Sequence, residues 1–402
     1  MTFDIVQLCD INIDVIDGDR GKNYPHQDEL LEAGHCLFLS AKNVTQNGFL
    51  FADNQFITQE KDELLNNGKL MRGDIVITTR GTVGNVAIYS DEVPYDNIRI
   101  NSGMLIIRCG DKIDNYYLYQ VLRSKWFYNQ ILSIQSGSAQ PQLPKSHFLK
   151  MTIPMPNMNT QHKIAGVLSS IGNKISVNTA INENLEQQAQ AYFVDLFITS
   201  ADPNWRIGTI SDLGNVIGGG TPSKKVEEYY TSDGIAWITP KDLSNDKSKF
   251  VAHGETDITE LGLAKSSATL MPKGTVLFSS RAPIGYIAIA DGQVCTNQGF
   301  KSIVPFDNVG TAFVYYFLKE NLSAIENVAS GSTFKEVSGS TMKNFTAIIP
   351  DNDTLAEFQR FCSPLFEQQR ALEYENRYLS SIRDTLLPKL MNGEIDVSAV
   401  KI

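Results

Sequence analysis

Several things this sequence has little of narrow its possibilities first. No apolar stretch approaches the ~20 residues of a membrane-crossing helix, because charged or polar residues interrupt every candidate. The amino end carries Asp4 and Asp10 where a secretory signal would carry Lys or Arg before an apolar run, so a soluble, cytoplasmic protein is expected. Cysteine is sparse: Cys9, Cys36, Cys109, Cys295 and Cys362 are scattered, odd in number and never spaced C-x-x-C. That pattern predicts buried thiols in a reducing compartment, with neither a disulfide frame nor a zinc site. Positive charge is also short, with 35 Lys and Arg against 45 Asp and Glu, a net of −10. An acidic total argues weakly against a nucleic-acid partner, although a basic strip can sit on an acidic body.

Catalytic signatures are missing as well. There is no G-x-x-x-x-G-K-[ST] phosphate loop, no H-E-x-x-H pair and no G-x-S-x-G elbow. The histidines His26, His35, His147, His162 and His253 lie far apart, and each reads as a surface or packing residue. The run Gly218-Gly219-Gly220 could suggest a phosphate cradle. Thr221-Pro222 follows it, however, and prevents a helix from starting directly, so it is weak as a dinucleotide site. No catalytic residue and no metal site is expected in this chain.

What is present is a repeat. The chain has 402 residues, 42% apolar and 20% charged, enough for two or three globular domains. Leu70–Ile88 aligns without gaps on Met271–Ile289 at an offset of 201, matching Gly73/Gly274, Arg80/Arg281, Gly84/Gly285, Ala87/Ala288 and Ile88/Ile289. Each copy reads as a β run, an Arg, a Gly-ended turn and a second β run. Phe38–Val44 mirrors Trp237–Leu243, Ser136-Gly137-Ser138 mirrors Ser330-Gly331-Ser332, and Ile153-Pro154 mirrors Ile349-Pro350. The chain is a tandem duplication.

After its Pro each half changes character. Over Thr160–Phe197 and Thr354–Met391, apolar residues recur at alternating spacings of four and three. The first seam is Ile164, Leu168, Ile171, Ile175, Asn178, Asn182, Leu185, Ala189, Tyr192 and Leu196. The second is Phe358, Cys362, Leu365, Gln369, Leu372, Asn376, Leu379, Arg383, Leu386 and Leu390. The narrow stripe, an equal length of ~48 Å at 1.5 Å per residue, and polar Asn182 and Asn376 at equivalent positions favour pairing of the two helices. The alternative is that each helix packs only on its own β domain. Thr354 with Glu357 predicts a capping box, and Pro364 a kink or the start of regular helix.

Gly219-Gly220-Thr221-Pro222-Ser223-Lys224, Tyr229-Tyr230 and Trp237-Ile238-Thr239-Pro240-Lys241-Asp242-Leu243 form a recognisable signature. With Leu386-Leu387-Pro388-Lys389-Leu390-Met391-Asn392-Gly393-Glu394-Ile395, they resemble the specificity subunit of type I restriction–modification systems, over the whole chain. In the first half, Asp17-Gly18-Asp19-Arg20-Gly21-Lys22 replaces the Gly-Gly-Thr-Pro element. The resemblance implies an α+β chain: tandem duplicated α/β target-recognition domains separated by two long antiparallel coiled-coil helices. Residues 1–158 would be the first recognition domain and 159–199 the first conserved helix. Residues 200–352 would be the second domain, and 353–402 the second helix and carboxyl-terminal tail.

It further implies a non-catalytic subunit that reads double-stranded DNA as a split target, one half per domain, with the helix pair setting the gap. Two methyltransferase subunits would bring S-adenosylmethionine and methylate adenine. In systems that cleave, two restriction (motor–nuclease) subunits would bring ATP and Mg. No membrane partner is expected.

Residues 1–155 hold 14 basic against 18 acidic residues, and 201–355 hold 13 against 17, so DNA contact must come from clustered cations. Lys42/Lys241 and Arg80/Arg281 are common to both halves and cannot explain different readings. They are structural or phosphate-positioning. Base readers are expected where the halves differ: Arg20 and Lys22 against Thr221, Lys224 and Lys225, and Gln140, Gln142 and Lys145 against Thr333 and Lys335. The reading from another class is a structural adaptor whose β domains bind protein and whose helices dimerise.

Overall fold

The β-branched runs of the repeat become central strands because only a sheet buries both of their faces. We describe residues 3–135, 142–331, 335–398 and 400 in a computed structural model, which divides into two compact units. One comprises Met1–Ile175 with Tyr378–Ile402, the other Ser176–Arg377.

In the first unit, Met104–Cys109 lies between Ile13–Asp17 and Ile75–Thr78, all antiparallel, with Val86–Ile88 beyond. In the second, Lys301–Pro305 lies between Gly214–Gly218 and Val276–Ser280, followed by Ile284–Ala290 and a parallel edge at Phe250–Val251. The register repeats: Ile107 faces Val15 and Ile75, while Ile303 faces Val216 and Val276. Ile75, Ile107, Val276 and Ile303 are fully buried, each worth roughly 1.5–3 kcal/mol relative to exposure.

A short parallel pair accompanies each sheet, Cys36–Leu39 with Ile98–Ile100 and Ala236–Ile238 with Val294–Thr296. Helices Asn115–Leu122 and Thr311–Glu320 lean on the sheets through matching ties. The Asn115 amide donates to the Gly73 carbonyl at 3.2 Å, and the Thr311 hydroxyl to that of Gly274 at 2.8 Å. Both glycines have positive φ, 90° and 86°, which explains why glycine stands there in each copy.

The long helices are Met158–Val194, extended by a π-turn over Asp195–Thr199, and Asn352–Met391. Every residue of both seams is buried or half-buried. In the first unit Ile164, Ala165 and Leu168 share a core with Leu387, Leu390, Met391 and Val397, and with Leu8, Tyr117 and Ile153 of the β domain. In the second, Ala189, Phe193 and Phe197 meet Leu355, Phe358, Cys362 and Phe366, together with Phe313 and Tyr316. The helices therefore do both things: they pair, and they pack on the β domains. Contacts run in opposite senses, from Asn178 against Asn376 (2.9 Å) to Tyr192 against Glu357 (2.6 Å), so the pair is antiparallel.

Asn182 and Asn376 do not meet. Asn182 reaches Glu373 at 3.4 Å, and Asn178 takes the bond to Asn376. Beside them sits a polar knot around Lys249, whose side chain is 6% exposed. Its ammonium is 2.5 Å from Glu186 and 2.8 Å from Gln369, and its backbone N–H donates to Glu373 at 2.9 Å. Burial alone would raise the Glu186 carboxyl, but Lys249 and Lys319 override it and hold the group at about 2.

Three local expectations are corrected. The second helix is capped by Asp351, which accepts the Thr354 N–H at 2.9 Å and its hydroxyl at 2.9 Å, while Glu357 binds Tyr192. No Thr354–Glu357 box forms, because the helix has already begun at Asn352. Of the two expectations for Pro364, the start of regular helix is the one corrected, since the helix is already under way from Asn352. Of the cysteines, Cys36, Cys295 and Cys362 are buried, but Cys9 is exposed and Cys109 half-buried. Among the described residues no helix is long and apolar enough to cross a membrane.

Candidate nucleic-acid interface

The strand register settles which loop residues correspond. Ile13–Asp17 and Gly214–Gly218 occupy the same place, so Gly18 matches Gly219, Asp19 matches Gly220 and Arg20 matches Thr221. The backbone confirms the match. A Cβ on Gly18 would lie 2.1 Å from the Asn101 carbonyl oxygen, and one on Gly219 would lie 1.9 Å from that of Asn297. Both sites exclude any side chain.

The apposed segment is also shared. The Asn101 side chain accepts the Gly103 N–H at 2.9 Å, and Asn297 accepts that of Gly299 at 2.8 Å. The N–H groups of Thr79 and Ser280 donate to the Gly103 and Gly299 carbonyls, each at 2.7 Å. Asn-x-Gly is thus a rigid crook in each unit, and its middle residue, Ser102 or Gln298, sits beside the glycine loop.

Residue 19/220 shows how one backbone approach is met by different chemistry. A Cβ on Gly220 would fall 2.3 Å from the Ala268 nitrogen. In the first unit Asp19 occupies the corresponding space and accepts N–H bonds from Gly21 (2.7 Å) and Asn66 (2.8 Å). The Gly21 N–H, followed by those of Asn66 and Asn67, pulls the Asp19 carboxyl below its usual range.

In the second unit the candidates converge. Thr221, Lys224, Lys241, Asn297 and Gln298 line a cleft of about 340 Å³, with Trp237, Thr239 and Glu255. An adjoining hollow of about 280 Å³ is lined by Arg281, Ala282, Gly299 and again Lys241. The Thr221 hydroxyl is hydrogen-bonded to the Gln298 side chain. Lys241 pairs with Glu255 at 2.6 Å, which raises its pKa. Glu336 serves two cations, Arg281 at 3.3 Å and Lys301 at 3.2 Å, so that group keeps net positive charge. Lys224, Lys225 and Lys335 are exposed.

In the first unit Arg20 is anchored by Asp17 at 3.0 Å and by the Ser102 carbonyl at 3.4 Å, with 53% of its side chain exposed. Lys22 and Gln142 are exposed, and so is Arg80, with which no carboxylate pairs among the described residues. Lys42, 78% exposed, is 3.8 Å from Asp53. Lys145 is placed differently. Its ammonium donates to the Val15 carbonyl at 2.6 Å, against the sheet. Gln140 and Thr333 lie outside the described residues.

Ser102 and Gln298 were not anticipated, although the repeated Asn-x-Gly tripeptide at an offset of 196 is a signal that marks them. No group of three or more His, Cys, Asp or Glu side chains able to hold a metal occurs among the described residues. His162 and His253 sit at 3.5 Å and 3.1 Å from Asp114 and Asp257.

Residues 2–187 and 203–373 both match the family model described as the type I restriction modification DNA specificity domain. The type I restriction enzyme MjaIX specificity subunit of Methanocaldococcus jannaschii is 36% identical over 211 residues, 52% of this chain and 48% of that protein. The chain thus spans about half the length of that relative. The HindI specificity subunit of Haemophilus influenzae is 23% identical over 94% of this chain and 98% of its own. A crystal structure of a type I restriction–modification S subunit from M. genitalium covers 97% of this chain and 96% of its own, at 15% identity and a TM-score of 0.58.

Proposed function

Since the chain belongs to the type I restriction–modification DNA specificity family, we propose that it is the non-catalytic subunit that reads double-stranded DNA for such a complex. Each unit reads one half of a split target. The chain also scaffolds two methyltransferase subunits and, in a system that cleaves, two motor–nuclease subunits. S-adenosylmethionine belongs to the first kind of partner, ATP and Mg to the second, and the complex works in the cytoplasm.

The observation that carries this reading is the duplicated crook and glycine loop: one backbone frame, built twice, carrying different side chains. A protein that reads two unlike half-sites needs this combination, since phosphate contacts position while base contacts specify. Lys42/Lys241 and Arg80/Arg281, common to both frames, suit the positioning part. An adaptor that bound one protein partner twice would have no use for the divergence. Both recognition regions are acidic in total, so the chain alone binds weakly and its partners supply much of the phosphate grip.

The test is selection from a randomised duplex library by the full chain with its methyltransferase subunit, alongside the chain alone. Enrichment of one split motif by the complex is the expected result. Retention by the complex without sequence preference refutes the reading.

A further inference from the structure

The crook and the loop place two side chains at matched positions in each unit. In the first they are Arg20 and Ser102, with the guanidinium 3.4 Å from the Ser102 carbonyl. In the second they are Thr221 and Gln298, joined by a hydrogen bond between their side chains. Everything that presents them is shared: the Gly18/Gly219 approach, the Asn101/Asn297 side chain closing the crook, and the carbonyl of Gly103/Gly299 pinned to the neighbouring strand. What they present is not shared.

We propose that these matched positions are the base-reading site of each unit, with Arg20 reading a guanine in one half-target and Gln298 an adenine in the other. The proposal deepens the DNA-specificity reading above and rests on it.

The chemistry follows from the groups. A guanidinium meets guanine O6 and N7 with two parallel N–H donors, a match no other base edge offers. The Arg20 anchors to Asp17 and Ser102 both use Nη2. Giving up the longer 3.4 Å contact to Ser102 frees one Nη2 proton, which with the parallel N–H of its neighbour, Nε or Nη1, makes the fork for a base. Asp17, in the strand that precedes the loop, holds the fork at 3.0 Å and limits the freedom lost on binding. A side-chain amide accepts from adenine N6 and donates to N7. The Thr221 hydroxyl steadies the Gln298 amide through its Oε1, which has a second lone pair for adenine N6, while Nε2 remains to donate. Lys224, Lys241 and Arg281 line this cleft and the hollow beside it, and supply the positive charge that phosphate contacts around a base require. Ser102 is too short to extend a reading group beyond its crook, which is why the first unit uses the loop residue and the second the crook residue.

The experiment uses the full chain co-produced with its methyltransferase subunit in a host without other adenine methylation, and the methylated motif is read from genomic DNA. The wild type first defines the split motif; if it methylates no motif, the DNA-specificity reading itself fails. Against that motif, Arg20→Ala is expected to relax one guanine in one half only, and Gln298→Ala one adenine in the other half only. Discrimination at that base should fall roughly ten- to a hundred-fold. Gln298→Glu keeps an acceptor for Thr221 and loses the amide donor, so it should disfavour adenine and admit cytosine at the same position.

An unchanged motif in Arg20→Ala and Gln298→Ala, with wild-type methylation levels, overturns the proposal and leaves the broader reading standing. So does a uniform loss at all sites in variants whose melting matches wild type, since that marks a phosphate contact. If Gln298→Ala melts early, Gln298→Glu decides by whether its preferred base changes.

Discussion

Replacing Glu186 by Gln removes one charge from the knot around Lys249 and leaves the volume nearly intact. The Glu186 carboxylate is 2.5 Å from both Lys249 and Lys319, and accepts from the Tyr316 hydroxyl at 2.9 Å. Lys249 has almost no access to solvent, so its charge would remain buried beside a neutral amide, with Gln369, Tyr316 and the Phe366 ring (4.0 Å) as its other company. Removing one partner of a buried pair costs about 3–5 kcal/mol. The titration points to the same size. A carboxyl held at about 2 against 4.5 contributes roughly 3 kcal/mol at neutral pH. Because the folded value lies below the unfolded one, that contribution is complete above pH 4.5 and is lost as pH falls toward 2. Glu373, pushed up by burial, titrates in the opposite sense and flattens the acid slope of the wild type.

Urea denaturation of the full chain should therefore show Glu186→Gln weaker by about 3–5 kcal/mol at pH 7 in the transition of residues 176–377. At pH 3 the deficit should shrink by roughly 2 kcal/mol. Glu186→Leu combined with Lys249→Met should recover most of the loss, since apolar replacement of a whole buried pair is often neutral. A deficit below about 1 kcal/mol at pH 7, or one that is the same at pH 3, refutes the reasoning.

Three further outcomes are expected. Gly219→Ala puts a methyl 1.9 Å from the Asn297 oxygen, so the loop must shift, and both melting temperature and motif-specific binding should fall while Gly218→Ala, with open space around it, does neither. Asp19→Asn replaces one of the two oxygens that together accept three backbone N–H groups, so one or two of those groups would face an amide donor. This should cost about 1–3 kcal/mol of first-unit stability by chemical denaturation, with the difference fading as pH drops below 3.8. Exchanging residues 201–352 for another recognition domain should change one half of the methylated motif, while the purified chain without partners should transfer no methyl group from radiolabelled S-adenosylmethionine; a change in both halves, or transfer by the mass-verified chain, contradicts the respective expectation.

The duplication and both helical seams were legible in the sequence because each rests on periodicity that burial enforces. The loop correspondence was not. Asp17-Gly18-Asp19-Arg20 and Gly218-Gly219-Gly220-Thr221 share one glycine, and only strand pairing reveals that this glycine is the common point. Offsets of 201, 196 and 194 along the repeat hid Ser102 and Gln298 from an alignment held at one shift. Lys249 was invisible for a different reason. A lone lysine is nearly always solvated, and its partners Glu186, Gln369 and Glu373 are brought to it only by the helix pair. The Thr354 cap failed because Asp351, three residues upstream, supplies a better acceptor and starts the helix sooner.

The core of the first unit has a consequence for how this chain is made. Ile164 and Leu168 are covered by Leu387, Leu390, Met391 and Val397, yet the roughly 200 residues of 176–377 lie between them in the chain. A ribosome adding about 5–20 residues per second needs on the order of 10–40 s to span that interval. For all of that time the nascent amino-terminal domain has an open apolar floor, while the second unit can complete its own core from one continuous stretch. Residues 176–377 should therefore reach protease resistance before the domain translated ahead of them. A message ending after residue 377 should yield a chain whose second half is folded and whose first half is held by chaperones.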